Sequence, residues 1–169
     1  MTVRIVTEMG DVVAHLYADR APVTVANFLR YVDAGAFDGS RFYRVVRADN
    51  QPDDSVRIAV VQGGFRRDAE RYPPIPLERT SETGLSHVAG TLSMARNGPD
   101  TARGDFSIMV GNQPELDFGG RRNPDGQGFA AFGRVIEGMD VVRRMNAAPA
   151  DGQQLTPPIP IERIERAGR

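Results

Sequence analysis

The chain begins with β-rich apolar positions. Val3 to Val6, a turn at Gly10 within Glu8 to Asp11, and Val12 to Tyr17 together predict an opening β-hairpin. The spacing then becomes helical. Pro22 suits a first turn, Val25, Phe28, Leu29 and Val32 fall at i, i+3, i+4 and i+7, and Gly35 stands where a C-terminal cap belongs, which predicts a helix over Pro22 to Ala34. Short strand-like runs come next at Arg41 to Val46, Ile58 to Val61, Thr91 to Met94, Asp105 to Val110, Ala130 to Val135 and Ile159 to Ile164. Met139, Val142 and Met145 share a helical face, with Asp140 near the positive end and Arg143 and Arg144 near the negative end, so a second, shorter helix is predicted there. It is expected to cover one end of a barrel or sandwich.

Two long loops interrupt this order, Arg47 to Arg57 and Glu115 to Gly128, and loops of that length often carry function. No linker, composition shift or internal repeat divides the chain, so residues 1–169 read as a single domain. Within the strand Arg41 to Val46, a period of two places Phe42, Arg44 and Val46 on one face and Tyr43 and Val45 on the other. An aromatic and an arginine then look the same way. The same parity pairs Val60 with Gln62, and sets Asp105, Ser107 and Met109 opposite Phe106, Ile108 and Val110. With Phe106, Ile108 and Val110 in the core, the more polar set lines an outer groove.

Composition narrows the chemistry. The 169 residues include 18 glycines and 12 prolines, above the roughly 12% of an average protein, which fits a turn-rich β protein. The 21 basic side chains are all arginine and 22 are acidic, giving a formal net charge of −1 that exerts no general pull on nucleic acid or anionic lipid. The arginines are scattered, with Arg66, Arg67, Arg71 and Arg121, Arg122 the nearest to clusters, and read as solvated surface. With no cysteine there is no disulfide framework and no thiol nucleophile. Charged residues interrupt the N-terminal apolar run, and no stretch reaches the roughly 20 apolar residues of a membrane span. The cytoplasm is therefore the expected location, with the periplasm the alternative if a signal peptide has been removed.

Two histidines cannot build a multi-imidazole metal site, and His15 and His87 read as structural residues rather than catalytic ones. No metal or other cofactor is expected. Asp53 and Asp54 are adjacent carboxylates without a spaced ligand loop, and read as surface. Gly126, Gly128 and Ala131 match a dinucleotide pattern by letter, but Phe132 to Val135 reads as a strand rather than the opening of a phosphate-binding helix.

The string Phe42-Tyr43-Arg44-Val45-Val46, Val61-Gln62-Gly63-Gly64, Gly90-Thr91-Leu92-Ser93-Met94-Ala95 with Gly98-Pro99, and Ala131-Phe132-Gly133-Arg134-Val135 resembles the cyclophilin family of peptidyl-prolyl cis-trans isomerases. Ala21-Pro22, Thr24 and Asn27-Phe28 are similar to the family's first helix. The resemblance implies a mainly β fold, a closed eight-stranded antiparallel barrel capped by two α-helices, with a groove for Xaa-Pro peptides on its outer face. It implies Arg44 as the catalytic residue, Phe42, Val60 and Leu116 in a proline pocket, Gln62 positioning arginine and substrate, and Ala95 and Arg96 along the peptide, Arg96 through its backbone. Where the family commonly has glutamine, phenylalanine and histidine, this chain has Asp105, Ser107 and Phe129, which complete the expected substrate-binding set. Asp105 is expected to pair with Arg44, and Ser107 to remove an aromatic wall. Glu115 aligns with an indole used to hold cyclosporin, so weak cyclosporin binding is expected. The implied activity is rotation about Xaa-Pro bonds in client proteins, assisting their folding. The alternative is a module of the same fold that binds proline peptides with negligible turnover. The implied partners are proline-containing peptides and unfolded clients, met by a monomer.

Overall fold

The computed structural model describes residues 1–52, 55–65 and 71–168. Asp53, Asp54, Arg66 and Arg67 lie outside the described residues. Strands β1 (Thr2–Thr7) and β2 (Gly10–Leu16) form the expected hairpin, with Ile5 opposite Val12. They are followed by helix α1 (Pro22–Asp33), β3 (Ser40–Val46), β4 (Val60–Gly64), a single helical turn α2 (Thr80–Thr83), β5 (Thr91–Met94) and β6 (Phe106–Met109). A short 3-10 turn at Pro114–Leu116 leads into the second long loop. Then come β7 (Ala131–Glu137), helix α3 (Met139–Asn146), the two-residue β8 (Ala150–Asp151) and the long β9 (Gln154–Arg166). Both expected helices are present and α2 is an addition. No helix among the described residues is long and apolar enough to cross a membrane.

The strands pair antiparallel in the order β1-β2-β7-β5-β6-β4-β3-β9, and β9 returns to pair with β1. Eight strands therefore close on themselves, which leaves no open sheet edge. β8 forms only a small hairpin with the start of β9, Ala150 opposite Leu155. The alternating burial of β1, with Val3, Ile5 and Thr7 inward, is the period-two pattern of a strand with one face in the barrel.

The interior is filled by aromatic rings. Phe28 of α1 packs at 5.2 Å from Phe37, 5.5 Å from Phe106 and 5.2 Å from Phe132, in tilted or edge-on geometry, so the helix is fastened to one end of the barrel through its apolar stripe. Ala21 supplies no side-chain cap to α1. The orphan N–H groups go instead to Glu78, whose carboxylate accepts from Val23 N at 3.3 Å and from Thr24 N and Thr24 Oγ1 at 2.6 Å. Helix α3 is tied down at its far end, where buried Asn146 Nδ2 donates to the carbonyls of Val46 and Val60, both at 3.1 Å. Outside the barrel a second, smaller apolar cluster gathers Val46, Ile58, Val60, Met109 and Leu116, with Phe129 against it.

Candidate active site

The outer face of β3, β4, β6 and β5 carries the site in two rows. Arg44 pairs with Gln62, Gln62 with Ser107, and Ser107 with Ser93, giving a polar row across four strands. One step along, Val46 pairs with Val60 and Val60 with Met109, giving an apolar row. Leu116 of the 3-10 turn and Phe129 of the second long loop close over the apolar row. The result is a cavity of about 160 Å3 with Ile58, Val60, Met109, Leu116 and Phe129 as apolar lining and Arg44, Gln62 and Arg122 among its polar groups.

Phe42 is not part of it. The register slips between Phe42 and Arg44 on both flanks, since Phe42 faces Gly63 while Arg44 faces the very next residue, Gln62, and the two face Ile159 and Gln154 of β9. This is a β-bulge with Tyr43 as the extra residue, and it resets the alternation. Phe42 is wholly buried, its ring edge-on to Phe106 at 5.8 Å, and a side chain on Gly63 would collide with it. The aromatic beside Arg44 on the outer face is Tyr43. The expectation that Phe42 lines the proline pocket is corrected accordingly.

Arg44 is held by two amides. Its Nε and Nη2 donate to Gln153 Oε1 at 3.0 and 2.8 Å, and Nη1 donates to Gln62 Oε1 at 2.8 Å. A guanidinium has five N–H groups, so two remain for a ligand. Burial, with the charge of Arg122 second, draws its pKa down from the ordinary arginine value, yet the group stays protonated. Behind it Gln62 Nε2 donates to Tyr43 Oη at 2.9 Å, and the Tyr43 hydroxyl donates to Asp105 Oδ2 at 2.9 Å. Burial, and then the Asp105 carboxylate, push the Tyr43 phenol up, so it remains a donor.

Contrary to the expectation from the sequence, Asp105 does not pair with Arg44. Its oxygens accept from Tyr43, from Phe65 N at 3.2 Å and face Arg71 at 3.7 Å, with Gly64 bare of the side chain that would fill its place. It borders an adjoining cavity of about 440 Å3 that shares Gln62, Ala95 and Arg96 with the apolar one. Ser107 and Phe129 do lie in the smaller cavity. The Arg96 side chain is consumed by the fold: 1% exposed, it is bidentate to Asp125 at 2.9 and 3.0 Å, donates to Gly128 O and lies 4.6 Å from the Phe129 ring centre. It thereby holds Phe129 in place.

His87 is buried, with Nδ1 2.7 Å from Asp117 Oδ1 and Nε2 2.8 Å from Ser93 Oγ, as a structural histidine should be. Asp117 and Ser93 thereby engage both ring nitrogens and fix the orientation of the imidazole. The G-x-G-x-x-A letters run from a loop into β7, so no helix N-terminus stands there for a phosphate. Sequence reasoning missed Tyr43, Gln153 and Arg122. A bulge hides the first. Gln153 and Arg122 reach the site from distant loops, with no local pattern to mark them.

The closed antiparallel barrel thus holds a fixed guanidinium beside a small, partly apolar cavity on its outer wall. Matching residues 2–166 to the model of the cyclophilin type peptidyl-prolyl cis-trans isomerase/CLD family shows that the chain belongs to that family. It is 32% identical over 165 residues to peptidyl-prolyl cis-trans isomerase cyp18 of Streptomyces antibioticus, covering 96% of this chain and 93% of that protein. It is 30% identical over 160 residues to peptidyl-prolyl cis-trans isomerase B of Escherichia coli, covering 94% and 92%. Among solved structures, a cyclophilin type peptidyl-prolyl cis-trans isomerase of Cryptosporidium parvum, crystallised in the presence of the dipeptide ala-pro, superposes with a TM-score of 0.80 over 100% of both chains at 21% identity.

Proposed function

We propose that the chain accelerates rotation about Xaa-Pro peptide bonds in client proteins and that Arg44 is its catalytic residue. The observation that carries this is the Arg44 guanidinium, clamped by Gln62 and Gln153 with two N–H groups unused, at the mouth of the apolar cavity. A peptide bond resists rotation by about 18 to 20 kcal/mol because the nitrogen lone pair is delocalised, and an Xaa-Pro bond turns over unaided in tens to hundreds of seconds. A donor aimed at the prolyl nitrogen favours the twisted state, in which the lone pair is localised, over the planar one. The cavity, about five water volumes in size, holds the pyrrolidine ring while the acyl side turns. Gln62 and Gln153 keep the guanidinium from following the substrate, so its dipole is in place before the rotation begins. No bond is broken and no general base is called for.

The cavity is built within a single chain, which supports action as a monomer. Glu115, where an indole would hold cyclosporin, is engaged by Arg121 at 2.6 Å, which supports weak inhibition by that drug. The reading is tested on the refolding of a protein whose slow phase is prolyl isomerisation. Substoichiometric chain should speed that phase in proportion to its concentration, with cyclosporin a poor inhibitor. A slow phase unchanged at equimolar chain would contradict the proposal.

A further inference from the structure

The larger cavity beside the proline pocket has a charge that the isomerisation chemistry does not require. It measures about 440 Å3, and its lining among the described residues includes three arginines, Arg71, Arg96 and Arg103, and one acid, Asp105. Arg96 is neutralised by its bidentate pair with Asp125. Asp105 faces Arg71 at 3.7 Å while its two oxygens also serve Tyr43 and the Phe65 N–H. Arg103 is exposed, and its side chain makes no ion pair or hydrogen bond among the described residues. Its backbone is nevertheless anchored, because Asn27 Nδ2 donates to the Arg103 carbonyl at 2.5 Å. The neighbouring rim is braced as well: Thr101 Oγ1 accepts from Asn97 N at 3.1 Å and donates to Gly98 O at 2.7 Å. Among the described residues the cavity thus offers, at Arg103, a cation with no ion partner on a fixed wall, and it adjoins the proline pocket through Gln62, Ala95 and Arg96.

We propose that this cavity selects clients carrying a glutamate or aspartate one or two residues from the Xaa-Pro bond, with the side-chain carboxylate received by Arg103. The inference rests on the isomerase reading above. An extended chain advances about 3.3 to 3.6 Å per residue, so one or two residues carry a side chain from one cavity into its neighbour. A long, planar guanidinium suits a carboxylate in either orientation.

The test uses blocked peptides with Glu, Gln or Lys placed one or two residues before or after Ala-Pro, with exchange rates and Kd read by NMR for the full chain and for Arg103→Gln. At one of these positions Glu should exceed Gln by about threefold to tenfold in kcat/KM, and Lys should fall below it, an effect sized for a partly enclosed ion pair. The Glu advantage should shrink toward unity in Arg103→Gln and in about 0.5 M salt, while turnover of the Gln peptides is unchanged. Equal rates for Glu and Gln at every position, or an advantage that survives Arg103→Gln, would overturn the inference and leave the isomerase reading intact. If no peptide is turned over, the isomerase reading is the one that fails, and the Glu-to-Gln ratio of Kd values decides the charge preference by itself.

Discussion

Catalysis by a guanidinium depends on holding it still, and here two neutral amides do so. Gln153 takes two of the Arg44 hydrogen bonds and Gln62 the third. Gln153→Ala should therefore lower kcat about tenfold with KM nearly constant, since what is lost is orientation in the transition state rather than contact with the peptide. A rise in KM with kcat intact would place Gln153 on the substrate instead. Phe42 separates two placements just as sharply. From the barrel interior, Phe42→Ala should cost about 3 to 5 kcal/mol in denaturant unfolding, whereas the milder Phe42→Leu should lower the melting temperature and leave KM alone. A KM effect at constant stability would restore Phe42 to the pocket wall. Arg44, Gln62 and Val60 were named from strand parity together with motif order, and Leu116 from the family resemblance alone. Tyr43 and Phe42 were exchanged because strict period-two counting cannot see a bulge, which only the pairing with Gly63 and Gln62 reveals.

At the scale of elements, the chain announces its strands and helices more clearly than their attachments. Helix α1 was readable from Pro22 and the Val25-Phe28-Leu29-Val32 stripe, but its cap comes from Glu78, 54 residues after Thr24. Glu78→Ala should destabilise the fold by about 1 to 2 kcal/mol in urea unfolding without a change in KM; an unchanged midpoint would show the cap to be idle. The two-residue β8 is too short to show a period, and the start of β9 at Gln154 escaped notice because the prolines at 157 and 158 mask strand character, although Ile159, Ile161 and Ile164 mark the rest by pointing inward. The second long loop is fastened to the segment after β5 by Arg96 and Asp125. The Arg96 hydrogen bonds hold the Asp125 carboxyl below the ordinary aspartate value of 3.8. A carboxyl with a depressed folded pKa contributes its stability above the unfolded value and loses it as pH falls through the folded one. Asp125→Asn should thus be less stable than wild type near neutrality, with the gap closing below about pH 3.8. A gap that stays constant to about pH 2.5 would remove this pair from the stability profile.

For the molecule as a whole, closure of the barrel by β9 on β1 makes the outer wall a rigid platform, and the site is a patch of that wall rather than a cleft between parts. The order of strands could not be derived from periodicity, which is blind to partners; the family resemblance implied a closed eight-stranded barrel, and the pairings supply the order. The resemblance led to the expectation of an altered groove at Asp105, Ser107 and Phe129, and the structure gives the contacts of the first. Asp105 turns away from Arg44 to Tyr43, so the carboxylate expected to quench the guanidinium instead serves the chain of hydrogen bonds that orients it through Gln62. The cis-trans exchange of a short Ala-Pro peptide, followed by NMR with wild type beside Arg44→Ala, tests this arrangement at its centre. Wild type should accelerate exchange while Arg44→Ala lowers kcat/KM about 100- to 1,000-fold, as expected for loss of one preorganised donor, and still binds the peptide with a similar Kd. Equal acceleration by both proteins, or peptide binding without acceleration by wild type, would contradict it.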